Sequence, residues 1–362
     1  MKQINYAVIG VNQWGIGKQH ALAILDTEGA KLCMVCDNDA EAANLYDNQD
    51  SEIGVACEAR ALGVPYCTDW HKIAEDPQID AVVVATPDYT HREIVVGLLA
   101  AGKHVLCEKP MALTREDCVE MIRAAKRYDR HLMVGQICRK NPTFVRAKEL
   151  VDRGEIGELF FVECEYAHDY GIMNSSWRKD PKHPRPIIIG GGCHAVDLLR
   201  WIAGNPSEVF AYGNRKVYQD YFVDDSTVAL LKFPNDVMGK VFCSMSTKRR
   251  QTMRTVLYGT RGTIVVDDYR GEFILYKDHI VGDDPMYLDG RAHDVEMHFP
   301  ITAKTHNCKG EIEDFTAVLR GEMPLTIDGV EGGSTVAVCA AIVESTQIGD
   351  KVQISYDFFE ER

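Results

Sequence analysis

The 362-residue sequence predicts two folded parts in succession. The first is an α/β domain on a doubly wound parallel sheet. The second is an α+β domain with a large, mostly antiparallel sheet covered by helices on one face. Three observations carry this expectation. Short apolar runs alternate with helical stretches through the first third of the chain, as buried parallel strands and their crossover helices do. A glycine turn, opening at Gly10, follows the first apolar run directly. From about Glu158 the texture changes to strand after strand joined by short turns, which favours antiparallel pairing with helices packed on one side.

Taken in order, Tyr6-Ala7-Val8-Ile9-Gly10 reads as a buried strand and about Lys18 to Leu25 as a helix. A strand, a glycine turn and a helix form the setting that a dinucleotide fingerprint needs, with the pyrophosphate on exposed N–H groups of the helix N-terminus. Gly10 permits the tight turn and Gly15 lets the helix start close to the strand. Asn12 stands where the middle glycine of G-x-G-x-x-G is expected; it tolerates left-handed φ, but its side chain crowds the pyrophosphate. The second strand, Lys31–Asp37, ends in an acid roughly twenty residues after the turn, where a carboxylate accepts hydrogen bonds from the adenosine ribose. Asn38 and Asp39 follow instead of an arginine, so NAD is favoured over NADP. Asp47–Ser51 reads as a polar break between two helices.

A third strand, Ala81–Ala85, ends in Thr86-Pro87-Asp88-Tyr89-Thr90-His91, and a helix from about Arg92 to Ala101 leads to the strand Lys103–Leu106. That strand closes in Cys107-Glu108-Lys109-Pro110. A lysine at a strand's C-terminal end lies where α/β sheets bind ligands. Pro110 fixes its own φ and drives Lys109 into an extended conformation, which aims the ammonium. Lys109 can donate to a substrate oxygen or carry a proton with a depressed pKa. A helix from about Arg115 to Tyr128 and the strand Leu132–Gly135 complete this Rossmann-type domain, which closes near Gln136 to Cys138. Residues 1–138 are thus expected to bind NAD, and 139–362 to form the substrate-binding and oligomerisation domain.

Strands of the second half are expected at Leu159–Ala167, Glu208–Tyr218, Asp225–Phe233, Val237–Thr247, Thr252–Tyr258, Gly262–Val266 and Glu272–Lys277. The chemistry there centres on Gly190-Gly191-Gly192-Cys193-His194-Ala195-Val196-Asp197. Three glycines let backbone approach a ligand. The following helix carries His194 and Asp197 at i and i+3, on one face, and Gly204 stops it. An imidazole at a helix start has its neutral form favoured by the dipole, which suits a general base. Tyr166, His168, Asp169 and Tyr170 end a strand, and Trp177-Arg178 follow a short loop. Rings, a carboxylate and a guanidinium suit a polyhydroxylated ligand. The segment Arg178–Pro186 is basic and proline-rich in an acidic chain; it is either a solvated loop or a site for a phosphate or carboxylate on the substrate.

A net charge of −14 argues against nucleic acid or an anionic membrane as a partner. No apolar run is long enough to cross a membrane, and Met1–Asn5 enter the first strand directly, so a cytoplasmic protein without a signal peptide is expected. Twelve cysteines are scattered, several inside strands, and read as reduced thiols. Cys33 and Cys36 have metal-pair spacing, but strand residues three apart point to opposite faces, so no metal is expected.

Ala85-Thr86-Pro87 with His91, Ala101-Gly102-Lys103-His104 through Met111-Ala112, Arg139, Gly154–Gly157, Trp177-Arg178, the Gly190–Asp197 segment and a closing helix ending in Glu344-Ser345 together resemble the glucose–fructose oxidoreductase/inositol dehydrogenase (Gfo/Idh/MocA) family over nearly the whole chain. The resemblance implies an NAD-dependent oxidoreductase that transfers a hydride between the nicotinamide and a hydroxyl-bearing carbon of a sugar, polyol or glycoside. Lys109 and His194 are then the catalytic pair at the reacting oxygen. Gly10, Asn12, Gly15, Asp37, Thr86, Pro87, His91, Glu108 and Lys109 become cofactor contacts. Lys109, Tyr166, His168, Trp177, Arg178, His194 and Asp197 become substrate contacts. Glu108 supports Lys109 or the cofactor. Inositol dehydrogenase-like members carry an aspartate four residues before the histidine; here that position is Gly190. The gap keeps open an NAD-dependent glycosidase that oxidises C3 transiently with no net redox, and a third reading is a non-catalytic sugar- or NAD-sensing regulator. The family's use of the open sheet face implies a homodimer or homotetramer.

Overall fold

The protein is described by a computed structural model over residues 2–11, 16–38, 63–169, 171, 176–249, 251–267, 271–277, 295–301 and 307–358. Asn12, Gly15, Tyr170 and the Asp47–Ser51 break lie outside these residues. The first elements are β1 (Ile4–Ile9), α1 (Gly17–Leu25), β2 (Ala30–Cys36), β3 (Tyr66–Cys67), α2 (His71–Glu75), β4 (Ala81–Val84), α3 (His91–Ala100), β5 (His104–Glu108), α4 (Arg115–Arg127) and β6 (Leu132–Gly135). Their sheet has the order β3-β2-β1-β4-β5-β6, and every pairing is parallel. All four residues of β4 and of β6 are buried, as a sheet covered on both faces requires. Thr114 caps α4 by accepting the Asp117 N–H, with Glu116 and Asp117 in its first turn and Lys126 and Arg127 in its last, so both ends complement the helix dipole.

The second set comprises α5 (Pro142–Asp152), β7 (Leu159–Ala167), α6 (Ile187–Gly190), α7 (Cys193–Ala203), β8 (Glu208–Asn214), β9 (Ser226–Lys232), β10 (Met238–Ser244), β11 (Thr255–Gly259), β12 (Gly262–Asp267), β13 (Glu272–Lys277) and β14 (Val295–Pro300). These strands, with β15 (Val352–Gln353), form a sheet of order β14-β13-β12-β11-β7-β10-β9-β8-β15, antiparallel except where β7 and β10 run parallel. Burial alternates along β9 and β10, so one face is core and the other is not. Helix α7 packs on β7 and β10. The other face exposes Tyr212 (66%), Leu230 (57%) and Met238 (57%) on β8, β9 and β10, with the Lys240–Glu163 ion pair among them.

Two features depart from the sequence expectation. Strand β8 stops at Asn214 rather than Tyr218 because the Asp225 carboxylate accepts the Val217 and Tyr218 N–H groups and turns the chain. The chain also does not stay in the second domain after residue 139. It divides into two compact units, Met1–Ile137 with Asn307–Val336 and Tyr356–Arg362, and Cys138–His306 with Ala337–Ser355. The return is driven by α8 (Cys308–Leu319), which packs on α1, and by the start of α9 (Gly329–Ile348), where Gly332 lies so close to Val134 that a Cβ would sit 2.5 Å from its Cγ2. Tyr6 and Thr316 share a buried hydroxyl–hydroxyl hydrogen bond of 2.9 Å. Among the described residues no helix is long and apolar enough to cross a membrane.

Candidate active site

In the first unit the turn after β1 is closed by two glycines. Gly10 has φ +93°, and a Cβ on it would meet the Ala85 carbonyl oxygen at 2.5 Å, so no other residue fits. A Cβ on Gly17 would meet the Gly10 carbonyl oxygen at 2.3 Å. Helix α1 therefore begins directly against the end of β1, the close approach a dinucleotide turn uses. Gly17, not singled out in the sequence, provides this close approach among the described residues. Asp37 follows β2 and is 6% exposed; its N–H donates to the Cys67 carbonyl at 3.2 Å and its own carbonyl accepts from the Tyr66 hydroxyl at 3.1 Å. The cradle of Gly10 and Gly17, with a carboxylate at the end of β2, fits an NAD-type cofactor.

The turn after β4 is internally braced. Thr90 Oγ1 donates to the Pro87 carbonyl at 2.7 Å and lies 2.7 Å from Thr86 Oγ1. His91, expected among the cofactor contacts, is 1% exposed, with Nε2 3.0 Å from the Thr86 carbonyl and Nδ1 3.1 and 3.3 Å from those of Pro110 and Met111. Its ring straps the turn after β4 to the turn after β5, which leaves neither nitrogen for a ligand.

Glu108 ends β5 at 5% exposure. Its Oε2 accepts the Lys109 N–H at 3.0 Å, and its Oε1 lies 2.7 Å from Nε2 of His20 on α1, itself fully buried. Burial works to raise the Glu108 pKa, but the His20 hydrogen bond and charge, with the charge and N–H of Lys109, more than offset it, and the net shift is downward. The carboxylate is thus ionised, so His20 Nε2 carries the donated proton. Gly135 opposite leaves the room: a Cβ there would lie 3.3 Å from Glu108 Cδ. Glu108 therefore fixes the backbone from which Lys109 projects, and the peptide to Pro110 is cis. The Lys109 side chain is half-buried and makes no ion pair among the described residues. His20 gave no local signal in the sequence, because its partner lies 88 residues away.

The expectation of no metal meets one relevant grouping among the described residues. His20, Cys308 and Glu311 place donor atoms within 4.8 Å of one another. His20 Nε2 serves Glu108 and lies 3.9 Å from Glu311, whereas its buried Nδ1 has no hydrogen-bond partner among the described residues. No disulfide joins the described cysteines.

In the second unit the helical path begins before the glycines, not after them. Gly191 (φ −82°, ψ −36°) and Gly192 (φ −65°, ψ −19°) are both right-handed helical, so α6 runs almost without a break into α7. His194 is therefore a full turn inside helical backbone, and the dipole argument for a helix start loses its force. Two of the glycines are required by packing. A Cβ on Gly192 would meet Cys243 Sγ at 2.5 Å, and one on Gly190 would meet Arg185 Nη1 at 2.1 Å.

His194 is 1% exposed, with Nδ1 3.4 Å from Cys138 Sγ and its ring 5.9 Å from that of Tyr166. Tyr166 in turn stacks on His168 at 6.3 Å and 15°. His168 Nδ1 donates to the Asp169 carbonyl at 3.0 Å, which fixes the tautomer with Nε2 as acceptor, and burial lowers its pKa. The Asp169 carboxylate takes the Tyr218 hydroxyl, the Gly171 N–H at 2.9 Å and Lys248 at 3.0 Å, which together pull its pKa down to about 2. Asp197 does not face outward. It is fully buried and held bidentately by Arg139, Nε at 2.9 Å and Nη2 at 2.7 Å, with Arg200 at 3.9 Å. Both oxygens are committed, so its role is to lock α7 to the segment carrying Arg139. Trp177 lies under two guanidiniums, Arg178 at 4.2 Å and Arg185 at 5.3 Å from the ring centre.

A glycine-built turn after the first strand of a parallel sheet, with a carboxylate at the end of the second and a lysine following the end of β5, defines a dinucleotide-binding class of protein. The chain belongs to the GFO/IDH/MocA oxidoreductase family: residues 4–136 match the family's NAD-binding Rossmann fold and 144–265 its C-terminal domain. It is similar to myo-inositol 2-dehydrogenase of Thermotoga maritima, 31% identical over 276 residues, covering 73% of this chain and 76% of the relative. It is also similar to scyllo-inositol 2-dehydrogenase (NAD(+)) of Bacillus subtilis, 25% identical over 97% of this chain and 96% of that one. With levoglucosan dehydrogenase of Pseudarthrobacter phenanthrenivorans it shares 29% identity over 57% of this chain and 60% of the relative. A levoglucosan dehydrogenase structure in complex with NADH and L-sorbose shares the fold, with TM-score 0.83 and 23% identity over 98% of this chain and 100% of that one.

Proposed function

We propose that this protein is an NAD-dependent dehydrogenase or reductase acting on a hydroxyl-bearing carbon of a sugar, polyol or glycoside. The observation that carries the reading is Lys109, whose backbone is pinned by the buried Glu108 carboxylate while its ammonium makes no ion pair among the described residues. The relatives named for inositol and levoglucosan dehydrogenation supply the substrate class.

When bound, the nicotinamide supplies the hydride acceptor or donor. Lys109 donates a hydrogen bond to the reacting oxygen and stabilises the charge that grows there, an effect concentrated in the transition state. His194 takes the hydroxyl proton. With Nδ1 turned to the Cys138 thiol, Nε2 is the nitrogen assigned to that transfer. His168, whose Nε2 is an acceptor by tautomer, is the alternative base. NAD is preferred over NADP through the carboxylate of Asp37. A second copy of the chain covers the sheet face that carries Tyr212, Leu230 and Met238, so light scattering should report a mass above the 40.6 kDa monomer.

A second reading has its own support. Gly190 replaces the acid expected four residues before His194, and one similar protein, 28% identical over 73% of this chain, is named 2,7-anhydro-N-acetylneuraminate hydratase, a reaction with no net redox in its name. A glycosidase that oxidises its sugar only transiently is therefore the alternative. Absorbance at the NADH band, followed beside aglycone release on a panel of sugars and glycosides, separates the two. Steady NADH accumulation supports the dehydrogenase, and release without accumulation supports the glycosidase. If neither occurs although NADH binds, the sensing regulator takes over. On a turned-over substrate, Lys109→Ala lowers kcat by about 10² to 10³ and His194→Ala by about 10² to 10⁴. Wild-type kcat and pH profile in His194→Ala would move the base to His168.

A further inference from the structure

The two nitrogens of His20 differ in what they meet. Nε2 is engaged by Glu108 at 2.7 Å, while Nδ1 is shielded from solvent and has no hydrogen-bond partner among the described residues. A buried nitrogen in that condition is costly and calls for a ligand. Helix α8 brings the groups that would share one. Cys308 and Glu311 stand at i and i+3 in its first turn, on one face, and both are buried. With His20 they bring one donor atom each to within 4.8 Å of one another. The Cys308 thiol donates to Gln19 Oε1 at 3.9 Å, long even for sulfur. A carboxylate has about four lone-pair directions, so Glu311 can hold a cation beside any other bond it makes. Two carboxyl groups and a thiol thus surround one imidazole away from water, and buried anionic groups gathered in this way are compensated by a cation. The Nε2–H bond to Glu108 is the outer arrangement that metal-binding histidines use, one nitrogen on the ion and the other donating to a carboxylate.

We propose that His20 Nδ1, Cys308 Sγ and the Glu311 carboxylate bind one Zn²⁺, with Glu108 as the outer partner of His20. The ion displaces the thiol proton, which leaves to solvent. Imidazole, thiolate and carboxylate together suit Zn²⁺, whereas Mg²⁺ and Ca²⁺ take oxygen donors. Donors about 2.0–2.3 Å from a tetrahedral zinc stand roughly 3.3–3.8 Å apart, so this set closes on the ion through movements of about 1 Å. The sequence gave no sign of the site, because its donors come from opposite ends of the chain. The ion ties α8 to α1 and, through His20 and Glu108, steadies the backbone that carries Lys109. Metal binding here is read without turnover, so it stands or falls apart from the oxidoreductase reading.

The test is to produce the full chain in minimal medium with cobalt(II) in place of zinc, so that a buried site is loaded as the protein folds. Wild type should carry one cobalt per chain and show a thiolate-to-cobalt charge-transfer band in the near ultraviolet. Cys308→Ser, nearly the same size, should lose the band while its far-ultraviolet circular dichroism matches wild type. Glu108→Gln, which touches no ion, should keep the band but release cobalt to a chelator about ten- to a hundredfold more readily. Wild type that folds without metal, or a band that survives in Cys308→Ser, overturns the site and leaves His20 Nδ1 to a buried water. If Cys308→Ser does not fold, X-ray absorption at the cobalt edge of wild type decides. One sulfur with nitrogen and oxygen around the ion supports the site. No sulfur, or more than one, overturns it.

Discussion

Glu108 and Asp197 are both buried carboxylates, one residue from Lys109 and three from His194, and they are held by opposite means. Asp197 is locked in a bidentate pair with Arg139 at 2.7 and 2.9 Å. Arginine does not titrate in proteins, so that lock is closed at any ordinary pH. Glu108 is held by one imidazole and one backbone N–H, at 2.7 and 3.0 Å. The first arrangement is a permanent fastening of helix α7. The second sets the backbone of a single side chain and depends on ionisation. Chemistry in the second unit should therefore fail when the fold fails, and chemistry in the first should fail while the fold survives.

The largest expected effect tests the fastening. Asp197→Ala leaves a guanidinium buried without its partner and should destabilise the protein by about 3–5 kcal/mol, read as a lower urea midpoint of the unit that contains it. Replacing both members, Arg139→Met with Asp197→Leu, should restore most of that, because removing a buried pair together is far less costly than breaking it. If Asp197→Ala keeps wild-type stability and raises KM for a true substrate instead, Asp197 is the substrate contact expected from the sequence after all.

Next comes the lysine arm. Glu108→Gln and His20→Gln should each lower kcat by about ten- to a hundredfold through the loss of one charge-assisted bond, while NADH affinity moves only a few-fold. The pH sign follows from the lowered Glu108 pKa. Its stabilisation is complete above the ordinary carboxylate value of 4.5 and is lost as pH falls below that through the folded value. Wild type should thus lose stability in acid over a limb that Glu108→Gln flattens. An unchanged acid limb in the variant would assign it to other carboxylates, Asp169 first among them.

The same contrast explains what the sequence made legible. The end of β5 was readable because Glu108, Lys109 and Pro110 are adjacent and the strand before them is a plain apolar run. The strands Leu159–Ala167 and Glu272–Lys277 were readable from alternation alone, and the structure keeps both ends of each. What failed was anything set by remote partners. Arg139 meets Asp197 across 58 residues, and no periodicity announces that the acid on α7 points inward. Ile187-Ile188-Ile189 with three glycines reads as anything but helix, since β-branched residues and glycine both disfavour it; burial of the whole run overrides propensity. His20 is the same failure in the first unit, a polar residue on the buried side of α1 whose partner ends strand β5.

A third carboxylate, Asp37, marks the small end of the comparison. It too is almost wholly buried, at 6% exposure, but the bonds that fix its backbone are to Cys67 and Tyr66 of β3. A 2′-phosphate brought against an ionised carboxylate should cost at least about 1.4 kcal/mol, so NAD should be preferred over NADP about tenfold or more in kcat/KM. Asp37→Ala should narrow that ratio from both sides, by weakening NAD and by relieving the repulsion of NADP, and should leave the sugar KM unchanged. A wild-type enzyme that uses both cofactors equally would remove Asp37 from the ribose site. Its burial would then be explained by the β2–β3 edge it helps to close.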